Sequence, residues 1–384
     1  MMRTRPLIDS AHLDGSSPPG VFVGRIGWPR VYAGPLIPPT FGDTSILDSP
    51  EAWGDMSMDD IVAMRSQLVR GMHRCHVEDA REPDRVVALT QELALGRVPA
   101  DVEATFTRKP SGRVQLDDDV QPFGPSAPLA DMEVASVRPD QRLEKASSDD
   151  DWPAAPAVVW LYERGLPVSG ITRAFSVGLL GVGRRRRLVP TRWSITAVDD
   201  TVGKELRRRA QELPLIDEFR VYECRKLDNR FVVVQLPSPW AYELIEAWYP
   251  NTVWNPTGRE IVMFGDHEGM EGRSTYASIG GCYYAARLAT AEALLREGRQ
   301  AATVILREAH PGYIMPVGVW NVREQVRAAL ARPPLRFEGL GEALGYASTR
   351  LAIPMERWVR NSAVLKDALH QRRIEDFLQG VLRR

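Results

Sequence analysis

Chain breakers crowd the first forty residues and decide what that stretch can become. Ser17-Pro18-Pro19-Gly20, Gly24, Trp28-Pro29, Gly34-Pro35 and Pro38-Pro39 interrupt the chain every few positions. Proline removes a backbone donor and fixes φ at about −65°, so no helix survives such spacing. Short extended pieces around Val21–Val23 and Val31–Tyr32 fit between the breakers, as strands or as packed coil. The glycines and prolines of 18–38 also point to close backbone packing, or to backbone approach to a ligand.

Beyond that stretch, helical and extended signals alternate irregularly. Ser57 caps a helix expected from Asp59 to Met72, and a second covers Asp84–Leu95. From 107 to 155, proline, serine and the triplets Asp117–Asp119 and Asp149–Asp151 break any periodicity, which reads as a long flexible loop. Val158–Tyr162, Ile171–Leu180 and Trp193–Val198 read as strands, and a helix opens at Asp199 or Asp200 and runs to Gln211. Phe219–Arg225 and Arg230–Leu236 form a hairpin around Leu227-Asp228-Asn229. A helix at Ala241–Tyr249, a strand at Glu260–Phe264, a helix at Tyr276–Glu297 and a strand at Ala302–Arg307 follow. Val322–Leu330 and Arg357–Leu378 close the chain as helices. The expected fold is mixed α/β (α+β), two lobes with a flexible loop between them and a C-terminal helix. Its divisions are an N-terminal region 1–106, an acidic loop or linker 107–155, an α/β core 156–365 and a tail 366–384.

Composition narrows the classes of function. At 384 residues the chain can bury a substantial core, and a formal charge of −1 gives no global attraction to nucleic acid. Any such binding must come from local patches. Arginine outnumbers lysine roughly nine to one, and its planar fork suits phosphate and base edges. Cys75, Cys224 and Cys282 are scattered with no C-x-x-C pair, which gives no disulfide framework and no zinc site. No apolar leader or membrane-length run occurs, so the expectation is a soluble intracellular protein.

Two groups of residues could carry chemistry. Arg184, Arg185, Arg186 and Arg187, with Arg192 and later Arg207-Arg208-Arg209, can place guanidinium forks along a phosphate backbone, and Trp193 offers a stacking face. The same residues read as a solvated loop and a charged helix end. Asp199 and Asp200, then Asp266 with His267 and Glu268, then Glu308 with His310, follow expected strands. Carboxylates and imidazole at strand ends are the parts of a divalent-metal-dependent nuclease, or equally helix caps and turn residues.

The C-terminus adds a peptide pattern. Gln371, Ile374, Phe377 and Leu378 spell Gln-x-x-aliphatic-x-x-Phe-Leu. One helical turn puts the last three on one face as a plug, with the glutamine in a separate polar pocket, which is how short peptides dock on a sliding clamp. With Val381 the same positions follow i, i+3, i+4, i+7, the stripe of an amphipathic helix packed on the body.

Longer blocks resemble one family. Ser-Pro-Pro-Gly-Val-Phe-Val-Gly-Arg-Ile-Gly-Trp-Pro-Arg-Val-Tyr-Ala-Gly-Pro at 17–35, Gly-Asp-Thr-Ser-Ile-Leu-Asp-Ser-Pro-Glu at 42–51 and Leu-Val-Pro-Thr-Arg-Trp-Ser-Ile-Thr-Ala-Val-Asp-Asp-Thr-Val-Gly-Lys at 188–204 are similar to the archaeal Nre DNA repair family. So are the blocks at 239–250, 280–289 and 307–320, and the resemblance spans the chain except 107–155. It implies a role in repairing DNA damage, with Gln371, Ile374, Phe377 and Leu378 as the peptide that binds the sliding clamp PCNA. Leu378 stands where an aromatic residue is more usual, a departure that weakens docking. Many members begin with a cysteine-rich, zinc-finger-like segment; this chain starts directly at its Ser-Pro-Pro block, so no zinc is expected there. The resemblance supplies no catalytic residues. Arg25, Arg192, Asp199, Asp200, Arg287, Arg307 and Glu308 are the charges to look for in a shared cleft. The expected partners are PCNA and DNA, without a membrane, in the cytoplasm at the nucleoid. No resident cofactor is expected, and a divalent metal only if the carboxylates are catalytic.

Overall fold

In a computed structural model that describes residues 10–112, 121–313 and 317–370, the chain divides into two units. One is Met1–Glu205 with Met315–Glu324, and the other is Leu206–Ile314 with Gln325–Arg384. The fold is mixed α/β, as the irregular alternation in the sequence implies.

The first unit carries β1 (His12–Ser17), β2 (Val21–Val23), β3 (Arg30–Ile37), α1 (Met58–Ser66), β4 (Val69–His76), α2 (Arg85–Leu95), β5 (Ala100–Phe106) and β6 (Ser126–Val134). Then come α3 (Gln141–Ser148), α4 (Ala154–Glu163), α5 (Val168–Ser176) and α6 (Thr191–Ala210), whose residues up to Glu205 belong here. The strands form one sheet in the order β1-β5-β6-β4-β3-β2, antiparallel except for the β4–β6 pair. The breakers of the first forty residues separate three of these strands. Gly34 lets β3 lie close to β4, because a Cβ there would sit 1.9 Å from the carbonyl oxygen of Gly71. Ser57 caps α1 through a capping box with Asp60, but the chain turns into β4 at Val69 rather than staying helical to Met72. The segment 107–155 supplies β6 and α3 to this unit, alongside residues outside the described set.

Three segments expected as strands are helices. Val158–Tyr162 lies in α4, Ile171–Leu180 overlaps α5, and Trp193–Val198 lies in α6. Short apolar runs do not distinguish buried strand from buried helix by period alone. The punctuation decides: Pro153 and Pro167 precede α4 and α5, while Gly165 and Gly178 follow them with φ of 75° and 76°.

The second unit contains β7 (Phe219–Lys226), β8 (Asn229–Leu236), β9 (Ala241–Trp248), β10 (Val262–Glu268), α7 (Gly281–Glu297), β11 (Ala302–Ala309), α8 (Trp320–Leu330, from Gln325 onward), β12 (Leu335–Phe337), α9 (Leu340–Ser348), α10 (Met355–Asn361) and α11 (Ala363–His370). Its sheet runs β10-β9-β11-β8-β7-β12, with β11 parallel to β9 and the other pairs antiparallel. The β7–β8 turn holds Leu227 and Asp228 at φ of 50° and 52°, the pair of positive values that a tight hairpin turn requires. One face of the sheet packs Val232, Val234, Ile245, Val304 and Leu306 against Leu344, Trp358 and Leu365 of α9–α11.

Ala241–Tyr249, expected as a helix, forms β9, an interior strand of the sheet. Both of its glutamates are buried with partners. Glu243 accepts from the Ser362 hydroxyl and from the Ala363 and Val364 amides, so it caps α11. Glu246 pairs with Arg307 of β11 at 2.6 Å. The expected single helix Arg357–Leu378 is broken at Ser362 into α10 and α11 as far as it is described. No helix among the described residues is long and apolar enough to cross a membrane.

Candidate nucleic-acid interface

A cleft of ≈ 290 Å³ opens in the first unit beside the shortest strand of its sheet. Phe22 and Val23 of β2, the turn residues Gly24, Arg25 and Ile26, and Tyr32 of β3 form one side. Arg70 and Met72 of β4 with Phe123 and Ser126 form the floor, and Pro190, Thr191 and Arg192 at the start of α6 close it. Local hydrogen bonds hold these pieces together. The Gly24 amide donates to Tyr32 O at 2.7 Å, the Arg30 amide to Gly27 O at 2.9 Å, and the Val23 amide to Thr191 Oγ1 at 2.9 Å.

The lining mixes rings with fixed positive charge. The Arg70 guanidinium lies 4.6 Å from the Phe123 ring centre and 5.5 Å from that of Phe22, within cation–π range. Burial and the neighbouring Arg65 push Arg70 down to about 10, which leaves it protonated at neutral pH. Arg25 is solvent-exposed and Arg192 is half-buried. Next to the lining residues along the chain, Trp28 and Trp193 pack ring to ring at 6.0 Å, and both stay well exposed. Ile26 is 84% exposed, an apolar side chain held in water at the tip of the turn. The start of α6 brings the positive end of a twenty-residue helix to this wall. Together these groups can take a flat ring and an anionic backbone.

A second, smaller cavity of ≈ 40 Å³ lies between Asp48, Arg65, Ser169, Thr172, Arg173 and Thr191. Its cations hold the fold. Arg65 donates to Leu47 O, Pro122 O and Asp48, and Arg173 to Ala94 O and Gly96 O.

The arginine run divides by role. Arg184, Arg185 and Arg187 are exposed, and Arg187 has Glu78 at 3.3 Å. Arg186 instead turns inward. It donates to Gly181 O at 2.7 Å and to Ser147 O and Asp149 O at 2.8 Å, with Asp150 at 3.3 Å. Of Arg207-Arg208-Arg209, Arg207 faces Glu268 at 3.7 Å and Arg208 faces Glu212 at 3.4 Å.

Each carboxylate considered for catalysis has a structural partner. Asp199 lies within α6 rather than after a strand; it is fully buried and takes Arg323 Nη1 on both oxygens at 2.8 and 2.9 Å. Asp200 pairs with Lys204 one turn on, at 2.6 Å. Asp266 lies inside β10 and binds Arg273 at 2.8 Å. Burial alone would raise its carboxyl, but Arg273 and the Ser278 and His267 amides hold it below the ordinary value. Glu308, inside β11, accepts from the Ala352 and Ile353 amides at 2.8 Å and contacts His310 at 2.9 Å. Alternation along strands also separates two of them. Asp266 aligns with Leu244 and Glu308 with Ala247, so they point from opposite faces of one sheet. Among the described residues, no three of His, Cys, Asp or Glu come together as metal ligands.

Of the charges sought in a shared cleft, Arg25 and Arg192 both line this one. Arg287 is buried against Glu268 at 3.0 Å, and Arg307 against Glu246. Phe22, Tyr32, Arg70 and Phe123 escaped the sequence reading because four separate segments contribute them. Gln371, Ile374, Phe377 and Leu378 lie outside the described residues.

The chain matches the family description "Archaeal Nre, N-terminal" over residues 1–255 and "Archaeal Nre, C-terminal" over 268–377. It is 43% identical over 365 residues to DNA repair protein NreB of Archaeoglobus fulgidus, covering 95% of this chain and 91% of that protein. It is 37% identical to DNA repair protein NreA of the same organism, over 90% of this chain and 86% of the relative. DNA repair protein NreA of Haloferax volcanii is 35% identical, over 94% of this chain and 88% of its own length. No solved structure matches.

Proposed function

Because the chain belongs to the archaeal Nre family, we propose that it is a DNA repair protein, recruited to the sliding clamp PCNA by its C-terminal peptide and contacting DNA through arginines. The observation that carries the repair role is the match to three relatives named as DNA repair proteins, along 90% or more of this chain. Gln371, Ile374, Phe377 and Leu378 support the recruitment, since their spacing gives a hydrophobic plug and a separate polar anchor. A tether of this kind raises the local concentration of the body at DNA without any new contact of its own. Arg25 and Arg192 at the cleft, and exposed Arg184 and Arg185, support the DNA contact.

Calorimetric titration of the host's clamp with the full chain, and with a chain ending at Leu369, tests the recruitment. Binding by the full chain that vanishes on truncation is the expected result; equal binding by both places the contact elsewhere.

The arginine run gives a separate expectation. The double change Arg184→Ala and Arg185→Ala is expected to weaken DNA binding and lower the slope of log K against log salt by about 0.7–0.9 per lost phosphate contact, with the melting temperature unchanged. Arg186→Ala is expected to lower stability instead, because three backbone carbonyls lose their donor. Fluorescence anisotropy across a salt series, with thermal melts of the same variants, separates the two. An unchanged slope in the double variant removes Arg184 and Arg185 from the interface.

A further inference from the structure

We infer that the cleft between β2, β4 and the start of α6 takes a single unstacked nucleobase, with the arginines around it holding the neighbouring phosphates. This rests on the DNA-contact reading and names what part of the DNA enters.

Size comes first. At ≈ 290 Å³ the cleft is near the lower end of ligand pockets, about 300–1,000 Å³, and is too small for a helix or a duplex. Its walls suit a flat ring: Tyr32 and Phe123 supply π faces and Met72 supplies apolar contact, while Phe22 and Val23, both 3% exposed, back the wall from behind. Charge lies around the ring site. Arg25 and Arg192 stand at the wall, and Arg70 stays cationic between two rings, so an anion beside the base meets positive charge from three segments. Outside, Trp28 and Trp193 present exposed ring surface, which suits the bases before or after the one taken in. An exposed turn tipped with Ile26 and Trp28 is costly in water, and contact with unstacked bases removes that apolar surface from solvent.

A base in a paired duplex cannot enter, so the site discriminates in favour of single strands, or of duplex positions where pairing is already broken. Base contact by stacking is tolerant of sequence, so any of the four bases is accepted.

The test uses the full chain and two labelled oligonucleotides with the same backbone, one carrying bases and one abasic throughout, read by fluorescence anisotropy. The oligonucleotide with bases is expected to bind at least about fivefold more tightly, the lower end of stacking by one base. Tyr32→Ala with Trp193→Ala, both at exposed ring positions, is expected to bring the affinity for the oligonucleotide with bases down toward that for the abasic one. Melting curves of the variant establish that it is folded. Equal binding of the two oligonucleotides by the unaltered chain overturns the base site and leaves the DNA contact standing. A preference retained in the folded variant overturns this cleft as its origin. Failure to bind either oligonucleotide overturns the DNA contact and the base site together.

Discussion

Phe377→Ala is expected to weaken binding to the sliding clamp by about 30-fold or more, while the melting temperature of the chain stays where it was. An aromatic anchor in a peptide's hydrophobic plug behaves as a hot spot, and truncating one costs about 2–4 kcal/mol. Gln371→Ala, at the polar anchor seated apart from the plug, is expected to cost less. Titration calorimetry with the clamp, beside thermal melts, reads both quantities. Unchanged affinity in the Phe377 variant would remove the peptide from the contact. A large drop in melting temperature would make Phe377 part of the body instead, as the amphipathic reading of Ile374, Phe377, Leu378 and Val381 has it.

The second large effect is expected at Asp199. Its carboxylate and the Arg323 guanidinium are both buried, at 0% and 4% side-chain exposure, with both oxygens engaged. Asp199→Ala removes the carboxylate that holds a buried guanidinium, leaving it the longer contact with Glu324 at 3.4 Å, and is expected to cost about 3–5 kcal/mol of stability. Asp200→Ala, which loses a one-turn pair with Lys204, is expected to cost less than about 1 kcal/mol. Replacing the buried pair together, as Asp199→Leu with Arg323→Met, is expected to recover most of the loss, because neither of the two buried charges is left facing the gap of the other. Urea denaturation of the four proteins gives the comparison. If Asp199→Ala unfolds at the same urea concentration as Asp200→Ala, the pair is not a brace, and Asp199 returns as a group available for chemistry.

How much the sequence disclosed varied with the kind of signal. Local chemistry was readable: the Ser57 cap, the Leu227-Asp228 turn and the strands between the early breakers all depend on a few adjacent residues. Burial was not. Glu243 and Glu246 lie in a segment expected as a helix, and their partners Ser362 and Arg307 lie 119 and 61 residues away. The same limit governed the candidate sites. Asp199 and Glu308 are polar residues in apolar surroundings, a pattern shared by catalytic groups and by core ion pairs, and only the positions of Arg323 and the Ala352 and Ile353 amides tell the two apart. The cleft was half visible: Arg25 and Arg192 stood out as charges, whereas Phe22, Tyr32 and Phe123 were ordinary apolar residues until the sheet brought them together.

Arg186 carries a consequence for how this chain can drift through time. Its three donors reach main-chain oxygens of Gly181, Ser147 and Asp149, and a carbonyl is present whatever side chain the residue bears. The clasp therefore asks nothing of the side chains at 147 and 149, while lysine at 186 cannot reproduce a planar fork with three separate targets. Four identical letters in a row are thus under different constraints. A survey of homologous sequences should find position 186 fixed as arginine, while 184 and 185 accept lysine.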